Sequence, residues 1–230
     1  MKLGTKLVIF DCDGTLVDSQ HNITAAMAYA FAAHGLAPPT VPEILSVVGL
    51  SLPESFKILA GEHPTATQRS LADHYRGAFV GGELKRRDDE PLYPAIKETI
   101  AALAGCPDVR LGVATGKSKR GVARLFDRED WHGHFHTIQT ADDHPSKPHP
   151  SMIRKAMAEV GSSPATTVMI GDTSYDMEMA RNAGVGAIGV AWGYHAPERL
   201  QAAGAHTIID DGLQLLTAIN RQLAAQESGA

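Results

Sequence analysis

The sequence predicts an α/β chain built on a doubly wound parallel sheet, with a small all-helical unit inserted after the first strand. Two observations carry this. From about residue 91 onward, short apolar runs alternate with stretches of helical periodicity, the pattern of a parallel sheet covered on both faces. Between the first apolar run and residue 91 there is no convincing strand, and several helix-like pieces follow one another.

In order, the strands are "KLVIF" before Asp11, "VRLGVA" before Thr115, the weaker "HFHTIQT", "TTVMI" before Gly171, "VGAIGV" before Ala191 and "HTII" before Asp210. Their length, mostly about four to six residues, is that of buried parallel strands. Between them, "AIKETIAALAG" sets Ile96, Ile100 and Leu103 on one helical face. "PSMIRKAMAEVG" lines up Met152, Ile153, Ala156, Met157 and Val160 before Gly161, and "SYDMEMARNAG" runs to Gly184. The helical interval reads as "NITAAMAYAFAAHG", "PEILSVVG", "PESFKILAG" and "ATQRSLADHYRGAF". The stripe of Ile23, Met27, Ala30 and Phe31 serves its own core, and Gly35 with Pro38–Pro39 stops the first helix. Residues 1–17 and 91–230 are therefore expected to form a Rossmann-like core, and residues 18–90 the insert. The terminal "AQESGA" is expected to fray.

Composition narrows the function classes. With 43% apolar residues in 230, the chain has ample material for a core. A net charge of −5 offers no basic field for nucleic acid or anionic lipid. "KRR" at Lys85–Arg87, followed at once by Asp88–Glu90, reads as a solvated surface run. No apolar stretch approaches the roughly 18–20 residues of a membrane span. Cys12 and Cys106 lie far apart without a CxxC, which fits a reducing cytoplasm and no structural disulfide. A soluble cytoplasmic protein is the expectation.

Ligands of open α/β sheets bind beyond the carboxyl ends of the strands, so the residues that follow each run matter most. They are Asp11 and Asp13 after the first, Thr115, Gly116 and Lys117 after the second, and Gly171 and Asp172 with Asp176 a turn later. Lys147 joins them from "DDHPSKPHP". Taken singly, each has a plain structural reading: Asp172 as a turn former or cap, Thr115 as a capping threonine, Lys147 as a solvated lysine, Asp142 and Asp143 as loop acids. Asp18 and Ser19 read as turn or cap residues leading into the insert. The set is harder to dismiss. Asp11, Asp13, Asp172 and Asp176 would raise one another's pKa at close range, and like charges at i,i+4 cost about 0.2–0.5 kcal/mol even on an exposed helix. A hard divalent cation removes the conflict, and Mg²⁺ suits a few carboxylates plus phosphate oxygens. Thr115, Lys147 and backbone N–H groups near Gly116 supply what a phosphate needs opposite the metal. The group reads as a phosphoryl-transfer site.

The stretches "DCDGTLVDS", "VATGK", "SKPHP" and "GDTSYD", in that order, resemble the four motifs of the haloacid dehalogenase-like superfamily, within it the phosphoglycolate phosphatase-like branch. The helical insert looks like that family's small C1-type cap. The resemblance implies a phosphatase acting on a small phosphomonoester, with Asp11 as the nucleophile that becomes a phosphoaspartate. It makes Asp13 the acid that protonates the leaving alkoxide and then the base for water. It assigns Mg²⁺ to the Asp11 and Asp172 carboxylates and the Asp13 carbonyl, with Asp176 supporting the metal through water or hydrogen bonds. Thr115 and the Gly116 N–H would bind the phosphoryl oxygens, and Lys147 would orient Asp11. Gly14 and Thr15 would give the backbone freedom to swing the cap. Two departures stand out: Gly116 where relatives often carry Asn, and Tyr93-Pro94-Ala95 for the family's "YPG", where losing the glycine stiffens the second linker.

Cys12, between the two acids, reads as a small buried filler pointing away from them. "AWGYH", Ala191–His195, could reach substrate or simply pack, as could His21. A phosphosugar mutase of the same fold is the enzymatic rival, although no cap acid/base pair is evident. A phosphoaspartate signalling receiver is disfavoured by the insert and by Asp13. A haloacid dehalogenase, by the family pattern, lacks the metal and Asp13's acid role.

Overall fold

The structure, a computed structural model, describes residues 4–79 and 90–228. Strand β1 (Thr5–Phe10) is followed by four helices, α1 (Gln20–Ala32), α2 (Val41–Ser46), α3 (Leu52–Leu59) and α4 (Thr65–Ala78). Strand and helix then alternate: α5 (Ile96–Ala104), β2 (Val109–Thr115), α6 (Lys119–Glu129), β3 (Phe135–Thr140), α7 (Ser151–Val160), β4 (Ser162–Gly171), α8 (Ser174–Ala183), β5 (Gly186–Val190), α9 (Pro197–Ala202) and β6 (Thr207–Ile209). A 3₁₀ turn at Gly212–Gln214 leads into α10 (Leu215–Ser228). The expected alternation is therefore present, with six parallel strands among the described residues in the order β3-β2-β1-β4-β5-β6.

Side-chain alternation divides the core into two layers. Val8, Phe10, Leu111, Val113, Val168 and Ile170 pack with Ile96 and Ile100 of α5, Phe126 of α6 and Ile219 of α10. The residues between them, Leu7, Ile9 and Met169, face Met152 and Ile153 of α7, Met177 and Ala180 of α8 and Leu200 of α9. Near-continuous apolar strands follow from this two-sided burial. The helices of the insert have a separate cluster, in which Ile23, Met27, Ala30 and Phe31 of α1 meet Ile44, Phe56 and Leu71. That is the expected stripe.

Two boundaries differ from the sequence reading. β4 begins at Ser162, upstream of "TTVMI", because Thr5 pairs with Ser162 before a register shift brings Leu7 opposite Thr167. α10 continues through Ser228 into the segment expected to fray, while its last two residues fall outside the described residues. Residues 85–89 of the charge run also lie outside them; its last member, Glu90, is described, and its carboxylate meets Lys117. Among the described residues no helix is long and apolar enough to cross a membrane.

Ala95 stands where the family pattern has glycine, and its φ is +63°. A Cβ in the left-handed region costs about 1–2 kcal/mol, partly offset by the greater unfolded-state entropy of glycine. Ala95→Gly is expected to stabilise the protein by roughly 0.5–1 kcal/mol. Urea denaturation would check this, and a loss of stability would show that Ala95 is unstrained.

Candidate active site

Strands β1 and β4 are neighbours where the strand order reverses, the point at which open α/β sheets bind ligands beyond their carboxyl ends. Asp11 is the first residue past β1 and Asp172 the first past β4. The pairing of Phe10 with Ile170 sets them side by side, and the Asp11 N–H donates to Ile170 O at 3.0 Å. Asp176 sits in the first turn of α8 as half of a capping box. Its Oδ2 accepts from the Thr173 N–H at 3.1 Å and from Thr173 Oγ1 at 2.7 Å.

One lysine joins two of these acids. Lys147 Nζ lies 2.8 Å from Asp11 Oδ2 and 2.6 Å from Asp176 Oδ1, with all three side chains essentially sealed from solvent. Asp172 is held by neutral donors, Thr15 Oγ1 to Oδ1 at 2.7 Å and the Tyr194 N–H to Oδ2 at 2.9 Å. The chain approaches Asp172 so closely that a Cβ on Gly14 or Gly193 would run into its side chain, and Gly14 also has a φ of +83°. Asp11, Asp172 and Asp176 each offer an oxygen, and these atoms lie within 4.8 Å of one another. Asp11 Oδ1 accepts the Cys12 N–H at 2.6 Å, and Oδ2 faces the Lys147 ammonium.

The electrostatics follow. Burial pushes the Asp11 carboxyl up to about 6, with Lys147 opposing and Asp176 adding to the rise. Asp172 is driven well above the usual carboxylate range by burial, then by Asp176 and Asp11, against the pull of the Tyr194 N–H and Thr15. Three buried carboxylates that share one ammonium are a donor set that fits a hard cation. Cys12, buried in the core, has its thiol pushed up by burial and then by Asp11 and Asp13, as a filler would.

Asp13 departs from expectation, because its carboxylate does not join the other three. Its Oδ1 accepts from Ser19 Oγ and from Lys117 Nζ, each at 2.6 Å. Lys117 also reaches Glu90 Oε2 at 3.3 Å. Burial pulls the Lys117 ammonium down, but Asp13 and then Glu90 carry it above its ordinary value. Ser19, read as a mere cap residue, thus touches Asp13, and Glu90, read as solvated, faces the same group. Thr115 ends β2, fully buried, and its Oγ1 accepts the Lys117 N–H at 3.1 Å. Gly116 lies beneath the turn after α2, where a Cβ would come within 2.9 Å of the Gly49 and Leu50 carbonyl oxygens. Asp142 and Asp143 serve the start of α6, accepting from the Lys119 N–H and pairing with Lys119 Nζ.

Of "AWGYH", Trp192 Nε1 donates to Thr15 O at 3.2 Å, and the Tyr194 hydroxyl lies 3.2 Å from Ser19 Oγ. His195 is buried. Its Nδ1 accepts the Ser174 N–H, which leaves Nε2–H to donate to Ser46 O at 3.2 Å, and Tyr175 donates to the same carbonyl at 3.0 Å. Burial, then Arg199, lowers His195 to about 4 and keeps it neutral. His21 is exposed on α1. A cavity of about 790 Å³ opens beside Asp13, Gly116 and Lys117, with Ile23, Ile44 and Tyr75 of the insert on its far wall.

The family model described as "Haloacid dehalogenase-like hydrolase" matches residues 8–190. The chain belongs to that family. As a haloacid dehalogenase-like hydrolase it is 35% identical to "Probable phosphatase IndB" of Dickeya dadantii, over 96% of each chain. It is 30% identical to a phosphoglycolate phosphatase of Agrobacterium fabrum, over 97% of this chain and 96% of that one. A crystal structure of a "predicted phosphatase" from Clostridium acetobutylicum superposes with a TM-score of 0.83 at 26% identity, covering 95% of this chain and all of the other.

The raised Asp11 pKa has a signed consequence for the metal-free hydrolase. A carboxyl with a folded pKa above its unfolded value favours folding fully below the unfolded pKa and loses that contribution as pH rises through about 6. His195, depressed to about 4, works in the opposite sense. Comparison with Asp11→Asn removes the first effect, together with the part of the rise at Asp172 that Asp11 causes. In EDTA, raising pH from 4 to 7 should shift the stability difference towards the variant by up to ~3 kcal/mol. Urea denaturation at the two pH values measures it; a constant difference would show that Asp11 is not destabilised by its surroundings.

Proposed function

We propose that this chain is a Mg²⁺-dependent phosphatase that hydrolyses a small soluble phosphomonoester, phosphoglycolate-like or a sugar phosphate, through a phosphoaspartate on Asp11. The observation that carries the reading is the group of three carboxylates within 4.8 Å of one another beside a single buried lysine. Relatives named phosphatase and phosphoglycolate phosphatase support the substrate class. Mg²⁺ would be held by the carboxylates of Asp11 and Asp172 and the carbonyl of Asp13, with Asp176 in support. When bound it supplies positive charge opposite the phosphoryl oxygens and keeps the carboxylates ionised.

Asp11 is then a nucleophile charged at neutral pH, and Lys147 holds it in place. An Asp11 oxygen forms a bond to phosphorus as the bond to the leaving oxygen breaks, and Asp13 gives that oxygen its proton. In the second step Asp13 takes a proton from water, whose oxygen attacks phosphorus and releases Asp11. Thr115, the Gly116 N–H and Lys147 bind the phosphoryl oxygens. Residues 18–90 act as a cap over residues 1–17 and 91–230, and the leaving group occupies the cavity beside Asp13. Two unpaired cysteines suit a cytoplasmic setting, and neither nucleic acid nor membrane has a part.

Phosphate release from a panel of phosphorylated metabolites tests the reading. Turnover should require Mg²⁺, vanish in EDTA, and fall at least on the order of 10³-fold in Asp11→Asn. Near-wild-type turnover in that variant would remove the nucleophile assignment, and activity persisting in EDTA would remove the metal.

A further inference from the structure

Asp13 has two carboxylate oxygens in very different surroundings. Oδ1 accepts both Ser19 Oγ and Lys117 Nζ at 2.6 Å, while no donor among the described residues is placed on Oδ2. Lys117 is itself held. Its Nζ lies 3.3 Å from Glu90 Oε2, and Glu90 Oε1 accepts from Asn22 Nδ2 on α1 at 3.0 Å. Asp13, Lys117 and Glu90 are each only 13% exposed, so these contacts are sheltered from competing water.

We propose that Lys117, backed by Glu90, is a positioning residue for Asp13: with Ser19 it occupies Oδ1 and so assigns the transferred proton to Oδ2. The inference rests on Asp13 being the proton donor of the proposed phosphatase. An oxygen that already accepts two hydrogen bonds is a poor carrier of a proton; the other is free to hold one. As the bond from phosphorus to the leaving oxygen breaks and that to Asp11 forms, the proton passes from Oδ2 to the leaving oxygen. Water returns a proton to Oδ2 in the second step. Glu90 balances the Lys117 charge, so the lysine acts as a donor to Oδ1 without adding a net positive charge beside the acid. Both linkers of the insert contribute, Ser19 from the first and Glu90 from the second.

The test uses the full chain with Mg²⁺ and two substrates, glycerol 3-phosphate and p-nitrophenyl phosphate. The alkoxide leaving group of the first needs a proton; nitrophenolate departs without one. Asp13→Asn should lower kcat for glycerol 3-phosphate by about 10²–10⁴-fold and for the aryl ester far less. Lys117→Met should lower the alkyl-to-aryl kcat ratio at least about tenfold with KM little changed, and Glu90→Gln should move it the same way. Added to Asp13→Asn, Lys117→Met should have little further effect on the ratio. The inference is overturned if Lys117→Met slows both esters equally, if it raises KM alone as a substrate-anion contact would, or if its effect adds fully to that of Asp13→Asn. Should Lys117→Met fail to fold, Glu90→Gln carries the same test alone. If Asp13→Asn leaves the ratio unmoved, the acid assignment itself fails and this inference with it. If only Asp13→Asn moves the ratio, the acid assignment stands and the positioning role falls.

Discussion

Lys147 between Asp11 and Asp176 is the contact on which the site depends. An ammonium and two carboxylates are taken out of water together, and Asp172 is packed alongside with only neutral donors. Burying an ion costs several kcal/mol after relaxation, and a pair recovers this only when its geometry and hydrogen bonds are good. Here the negative charges outnumber the positive, so the structure protects each oxygen it can: Thr15 and the Tyr194 N–H at Asp172, Thr173 at Asp176, the Cys12 N–H at Asp11. What remains is a shortage of positive charge that a cation would fill. The raised pKa of Asp11 and of Asp172 expresses that same shortage in protons.

The sheet makes this crowding possible by geometry alone. The order β3-β2-β1-β4-β5-β6 opens a crevice between β1 and β4, and β1, β2 and β4 deliver Asp11, Thr115 and Asp172 at their carboxyl ends. The helical insert meets the same edge through specific contacts. Ser46 O takes hydrogen bonds from both His195 and Tyr175, and the Ser51 N–H donates to Ser146 Oγ at 2.8 Å in the loop that carries Lys147. The residues that hold the insert to the core are thus chain neighbours of those that hold the charges.

Much of this was legible in the sequence, for a physical reason. Strands buried on both faces announce themselves as short apolar runs, and the residue that follows each run is fixed by chain order; Asp11, Thr115 and Asp172 could be read directly. Side-chain direction could not. Spacing alone sets Asp13 against Asp11, yet its carboxylate turns to Ser19 and Lys117. Glu90 closes a charge run whose composition suggests a solvated surface, and only the folded chain brings it against Lys117, 27 positions away in sequence. Ser19 and Tyr194 carry no local signal of their hydroxyl contact, since 175 residues separate them. Lys117 was visible in "VATGK", but its neighbour Thr115 drew the assignment.

Gly116 has a consequence for transplanting residues between relatives. The absence of a side chain there is occupied by the insert itself, because the Gly49 and Leu50 carbonyls sit where a Cβ would project. An asparagine introduced at 116 to match the commoner family pattern would have to lift that turn, and with it the Ser46 carbonyl shared by His195 and Tyr175. Position 116 and the turn at 47–50 are therefore one unit of inheritance, to be exchanged together or left alone when parts of such enzymes are recombined.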